Sequence, residues 1–202
     1  VAATAIAKFG VDPDENRRRY VRRIGDAVVR CSPGMPANFG GYHFEVLASD
    51  EINGVSGPGG FVLITRGAVL ACKTEDELAG VLAHELAHVR LRHGVQALQK
   101  SRQFQGQVGA VAGFVSGLVD ADKLGFEGKL VELFTTAVSE VAGQAVDHNY
   151  DPSVEAQADS EGTRILWEVL YDWGALRTLL ARMATDTHVH GGATHESPAM
   201  RA

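Results

Sequence analysis

The feature that most constrains this chain is His84-Glu85-Leu86-Ala87-His88, set inside a run whose apolar residues Leu78, Val81, Leu82, Leu86 and Val89 recur at helical spacing. Thr74, with Glu77 three residues on, has the form of a capping box that starts this helix. Arg92-His93-Gly94 reads as its basic last turn, with glycine as the stop. On a helix, residues i and i+4 lie on one face, so the two imidazoles can share one cation. Glu85 sits one residue round, near enough to take a proton from an activated water but angled away from direct ligation. Five residues therefore supply two ligands and a general base. With 8 His in 202 residues, composition alone produces such a pattern in only about 2% of chains, which argues against two solvated histidines on a surface helix.

Catalytic zinc sites hold three protein ligands and keep one position open. A third histidine six residues after His88 would complete one familiar pattern, but Gly94 stands there. A carboxylate on a later helix is the other solution. Asp151-Pro152 is a helix-start signal, and the helix it opens, to about Trp173, carries Glu155-Ala156-Gln157-Ala158-Asp159. Glu155 and Asp159 share a face, and Ala156 and Ala158 are small enough to let this helix approach the metal helix. Glu155 is the expected ligand and Asp159 the expected acceptor for a ligand histidine's other N–H, with Glu161 a rival off that face.

Around this constellation the chain reads as α+β and mostly helical, a single domain over 1–202. Asp12-Pro13 starts a helix to about Arg30, and strands are expected at Tyr42–Ala48 and Phe61–Thr65, joined through a loop from Asn53 to Gly60 and pairing in one small sheet. Further helices are expected from Val95, over Lys129–Asp147, and over Ala175–Thr185. The net charge of −6 and the lack of any Lys/Arg block exclude a nucleic-acid binder held by phosphate contacts. Cys31 and Cys72 fit no metal-ribbon spacing and leave open one disulfide or two free thiols. Gly106–Val119 is too short to span a bilayer; its small residues suit either a packed core helix or a membrane surface. His93 is expected to meet its helix dipole, His148 to lie in a solvated turn, and His188 and His190 to lie in an extended tail. The chain opens at Val1 without Met or an apolar leader, and reads as cut from a longer precursor.

These stretches resemble the gluzincin metallopeptidases related to HtpX and the CAAX prenyl endopeptidases. His84–His88 and Glu155–Asp159 match that family's motifs. Asn53–Gly60 is similar to its Asn-Ala-Phe-x-x-Pro-Gly-Gly segment, although Gly54-Val55 replaces Ala-Phe. Thr194–Arg201 is similar to its Thr-His-Pro-x-x-x-x-Arg ending, with Glu196 in place of Pro. The resemblance implies a zincin-like domain whose small sheet lies beside the motif helix. It also implies one catalytic zinc on His84, His88 and Glu155, with Glu85 as base. His195 and Arg201 would then polarise the scissile carbonyl, or His195 would fill the open zinc position in a latent form. In peptidases of this kind a strand edge pairs with the substrate backbone, and Asn53 with Pro58-Gly59-Gly60-Phe61 is the candidate edge. The expected activity is an endopeptidase acting on misfolded or membrane-associated proteins at a membrane surface or among envelope proteins, periplasmic or membrane-associated. A chaperone-like quality-control protein with a structural zinc is the competing expectation, and hydrolysis of a non-peptide ester a weaker third.

Overall fold

The computed structural model describes residues 2–100 and 150–185. A three-stranded sheet is built from β1 (His43–Leu47), β2 (Gly54–Gly57) and β3 (Phe61–Thr65), in the order β1-β3-β2. The central strand β3 runs parallel to β1, from His43 opposite Phe61 to Leu47 opposite Thr65. It runs antiparallel to β2, from Gly54 opposite Ile64 to Gly57 opposite Phe61. The described helices are α1 (Ala2–Phe9), α2 (Glu15–Cys31), α3 (Arg66–Ala71), α4 (Glu75–Arg90), α5 (His93–Lys100), α6 (Pro152–Glu168) and α7 (Ala175–Thr185).

Side-chain alternation along the strands gives the sheet two buried faces. Phe44, Val46, Val62 and Ile64 point to the main core, where they meet Val21, Ile24 and Val28 of α2, Leu82 and Leu86 of α4, and Ile165 and Leu166 of α6. Leu47, Val55 and Leu63 point the other way and cluster with Ala5 of α1. The motif helix α4 is thus enclosed by the sheet, α2, α6 and α7. Its stretch from Leu82 to His88 is buried without interruption, which is why polar groups there must find partners inside the protein.

Several expectations are corrected. The N-cap of α2 is Asp14, whose side chain accepts from Asn16 and Arg17 N–H; Asp12 instead accepts from Asp14 N–H and pairs with the Arg17 guanidinium. The Asn53–Gly60 loop contains strand β2, so Phe61 begins the central strand and β2 takes the edge position. Helix α4 ends at Arg90 and turns through Arg92 at φ 59, so Gly94 is no stop but lies within α5. Helix α6 ends at Glu168 rather than Trp173, because Leu170 at φ 64 reverses the chain. Helices α1 and α3 were not anticipated. Both cysteines are free: Cys31 is exposed, and burial, with the Glu77 charge adding to it, pushes the Cys72 thiol up to about 12. Gly106–Val119, Lys129–Asp147, His148, His188, His190, His195 and Arg201 lie outside the described residues. Among the described residues no helix is long and apolar enough to cross a membrane.

Candidate metal centre

Helix α4 carries two of the site's side chains, and its start is strongly fixed. Thr74 accepts from Glu77 N–H at 3.1 Å, while Glu77 reaches back to Lys73 N–H at 2.6 Å. Arg182 of α7 donates to both Glu77 oxygens at 2.6 and 2.7 Å, and holds this nearly buried carboxyl below its ordinary range. Helix α6 starts at Pro152 behind the Asp151 cap, which accepts from Ser153 N–H at 3.0 Å. Glu155, Ala158, Gly162 and Ile165 form its buried stripe. Ala156, expected at the helix–helix contact, is exposed instead. The two helices come close at Gly162, where a Cβ would stand 3.1 Å from the backbone nitrogen of His84.

That approach brings three donors together. His84 Nε2 lies 3.1 Å from His88 Nε2 and 3.5 Å from Glu155 Oε2, and His88 Nε2 lies 3.5 Å from Glu155 Oε1. A tetrahedral ion with bonds near 2.05 Å holds its ligand atoms about 3.3 Å apart, so the spacing fits a zinc-sized cation. All three residues are at least 96% buried, with exposures of 4, 1 and 0%. Two imidazoles and a carboxylate so close together in the interior are explained by a shared cation better than by their mutual contacts.

The outer nitrogens are also engaged. His84 Nδ1 lies 2.9 Å from Asp159 Oδ1, and His88 Nδ1 lies 3.0 Å from His93 Nδ1. Ligation through Nε2 requires a bare Nε2, which assigns each ring's proton to Nδ1, donating to Asp159 and to His93. Tyr150 stacks on His88 with ring centroids 4.5 Å apart and an interplanar angle of 17°. Burial raises the Tyr150 phenol well above its ordinary pKa, with the Glu85 and Glu155 charges adding to it, so it stays protonated.

Glu85, 2% exposed, turns toward β2. A Cβ on Gly54 would stand 2.2 Å from its Oε1, so the first residue of β2 must lack a side chain in this arrangement. Asn53 fixes the start of that strand: its N–H donates to Thr65 Oγ1 at 3.0 Å, its carbonyl accepts from Thr65 N–H at 3.0 Å, and its Oδ1 accepts from Gly54 N–H at 2.9 Å. Pro58, Gly59 and Gly60 make the β2–β3 turn, with φ 89 and 82 at the two glycines, and Phe61 stacks on His43 at 4.9 Å. A cleft of about 240 Å³ lies between this turn and the α4–α5 corner and reaches His88. Sequence reasoning missed three parts of the site. They are His93, read as a dipole partner; Tyr150, which carried no signal; and β2, whose glycines hid it.

Comparison with known proteins agrees with this geometry. A putative beta-barrel assembly-enhancing protease of Vibrio cholerae is 27% identical over 168 residues, covering 83% of this chain and 33% of that protein. The beta-barrel assembly-enhancing protease of Escherichia coli K12 is 24% identical over 167 residues, covering 82% and 32%. The mitochondrial metalloendopeptidase OMA1 of Schizosaccharomyces pombe is 29% identical over 164 residues, covering 81% and 43%. The chain therefore spans only about a third to two fifths of the length of these relatives. Peptidase family M48 matches residues 15–199. With nearly the whole length accounted for, this zincin-like chain belongs to Peptidase family M48, and with it to the metal-dependent peptide hydrolases.

Proposed function

We propose that the chain is a zinc endopeptidase in which His84, His88 and Glu155 hold the ion and Glu85 is the general base. The observation that carries this is the convergence of His84, His88 and Glu155 at tetrahedral spacing, with Glu85 on the same helix facing the sheet edge. Zinc held there supplies Lewis acidity, polarising a carbonyl and acidifying water. The Glu85 carboxylate takes the proton of the attacking water and returns it to the departing amine. Asp159 and His93 keep the two imidazoles oriented. Strand β2 lies at the edge of the described sheet, and an extended substrate adds beside it by backbone hydrogen bonds. Asn53 and the Pro58-Gly59-Gly60-Phe61 turn fix that edge, and His195 and Arg201 are the proposed partners of the carbonyl oxygen.

Relatives named for beta-barrel assembly support misfolded or membrane-associated envelope proteins as substrates, in the periplasm or at a membrane. Among the described residues three protein ligands converge, where structural zinc sites use four, and this supports catalysis over a purely structural ion. Metal analysis should find about one zinc per chain, and Glu85→Gln should keep the zinc while losing casein cleavage. A Glu85→Gln protein that cuts casein as fast as the parent refutes the mechanism.

A further inference from the structure

The cleft beside His88 has a chemical character that the hydrolytic machinery does not use. One wall is Ser56, Gly57 and Pro58 from the end of β2 and its turn; the other is His88, Val89 and Arg92 from the α4–α5 corner. Among the described residues no acidic side chain lines it. Arg92 is exposed and makes no ion pair with another described residue. Arg90, two positions earlier, is by contrast fully engaged, with Glu161 and Glu168 each at 3.1 Å and the Pro33 carbonyl at 2.6 Å. Arg92 also holds φ 59, a left-handed conformation that costs a side-chain-bearing residue on the order of 1–2 kcal/mol. Ser56 Oγ is buried and has no hydrogen-bond partner among the described residues, a deficit that a bound acceptor would remove.

The position of the cleft along the strand identifies which part of a substrate would fill it. Glu85 packs against Gly54, and Ser56 lies two residues further on the same face of β2, about 7 Å away. A segment laid antiparallel on β2 has its amino-terminal side toward Ser56 and Gly57. We propose that this cleft is a specificity pocket selecting an acidic side chain, glutamate or aspartate, on the amino side of the scissile bond. The Arg92 guanidinium and the Ser56 hydroxyl donate to the carboxylate, and Pro58 and Val89 flank its stem. This rests on the peptidase reading above.

The test uses zinc-loaded protein and a peptide set identical except for Glu, Gln, Ala or Lys at each of three positions on either side of the cut. The parent should cleave a peptide with Glu at one amino-side position about ten-fold better in kcat/KM than its Ala counterpart, the size of one charge-assisted contact. Arg92→Glu should reverse the order within the peptide set, so that Lys at that position is cleaved better than Glu. Ser56→Ala should reduce the Glu preference alone. No acidic preference, a preference only on the carboxyl side, or an Arg92→Glu protein slowed equally on every peptide overturns the pocket. If the parent cuts none of them, binding of the same peptides to zinc-loaded Glu85→Gln separates the two readings. Tighter binding of the Glu peptide that is lost in Arg92→Glu keeps the pocket and sinks the peptidase; equal binding sinks the pocket.

Discussion

Gly162→Ala tests whether the spacing of α4 and α6 makes the metal site. A methyl at position 162 would lie 3.1 Å from His84 N, 3.2 Å from His84 Cα and 3.3 Å from Ala83 C, all backbone atoms that no rotamer change can move. Relieving those contacts parts the helices by about 0.3 Å, since ordinary carbon contacts begin near 3.5 Å. Glu155 lies seven residues earlier on the same buried stripe, with its oxygens 3.5 Å from both ligand nitrogens. A metal site tolerates only about 0.2 Å in its ligand distances, so the displacement exceeds that margin. Folding is less affected: overpacking costs about 1–3 kcal/mol, while alanine in a helix interior returns about 0.5–1 kcal/mol over glycine. The expected result is a metal-free melting temperature lowered by a few degrees and a zinc affinity, by chelator competition, reduced about 10- to 100-fold. Gly80→Ala is the control, because its methyl would meet Leu176 of α7 at 3.1 Å and not the ligand helix α6. It should lower stability and leave zinc affinity unchanged. A Gly162→Ala protein that binds zinc as tightly as the parent refutes the spacing argument.

Two further outcomes follow from other contacts. His93→Ala should weaken zinc binding about ten-fold by removing the acceptor 3.0 Å from His88 Nδ1, and His93→Gln should restore most of it; equal affinities in all three proteins would show that His93 only fills space. Burial works to raise the pKa of Glu45, but hydrogen bonds from Arg18, the Val46 N–H and Arg22 prevail and hold it at about 2, against an ordinary 4.5. A carboxyl lowered in the folded state stabilises above its unfolded pKa and loses that effect as pH falls through its folded one. Glu45→Gln should therefore cost up to about 3 kcal/mol at pH 7, a difference that shrinks between pH 4.5 and 2. A parent-minus-variant difference in urea unfolding that stays constant with pH would refute the assignment.

How much was legible followed from how local each signal was. Helix α4 carried a cap, a periodic apolar face and the two histidines within one stretch, and it folds as that pattern dictates. The placement of Glu155 and Asp159 on one helix was readable because a helix start and an i, i+4 pair are local. Ala156 was misplaced because rotation about the α6 axis is set by packing with α4, and the stripe through Gly162 decides it. Strand β2, Gly-Val-Ser-Gly, has little strand propensity of its own. It exists because β3 pairs with it and because the Thr65 hydroxyl donates to the Glu51 and Asn53 carbonyls at 2.6 and 3.0 Å. His93 was misread because the turn folding it back onto His88 is made by Arg92, a residue that gives no hint of a left-handed backbone.

The proposed ligands at 88 and 155 come from helices far apart in the chain, which would give an ion held there a mechanical role as well as a chemical one. Bound there, it closes a loop much as a disulfide would, and a cross-link of that span restricts the unfolded chain by an amount on the order of 4 kcal/mol. Stripping the ion with a chelator should thus do more than silence the enzyme: it should free α6 to peel from its neighbour and make the chain easier for other proteases to nick.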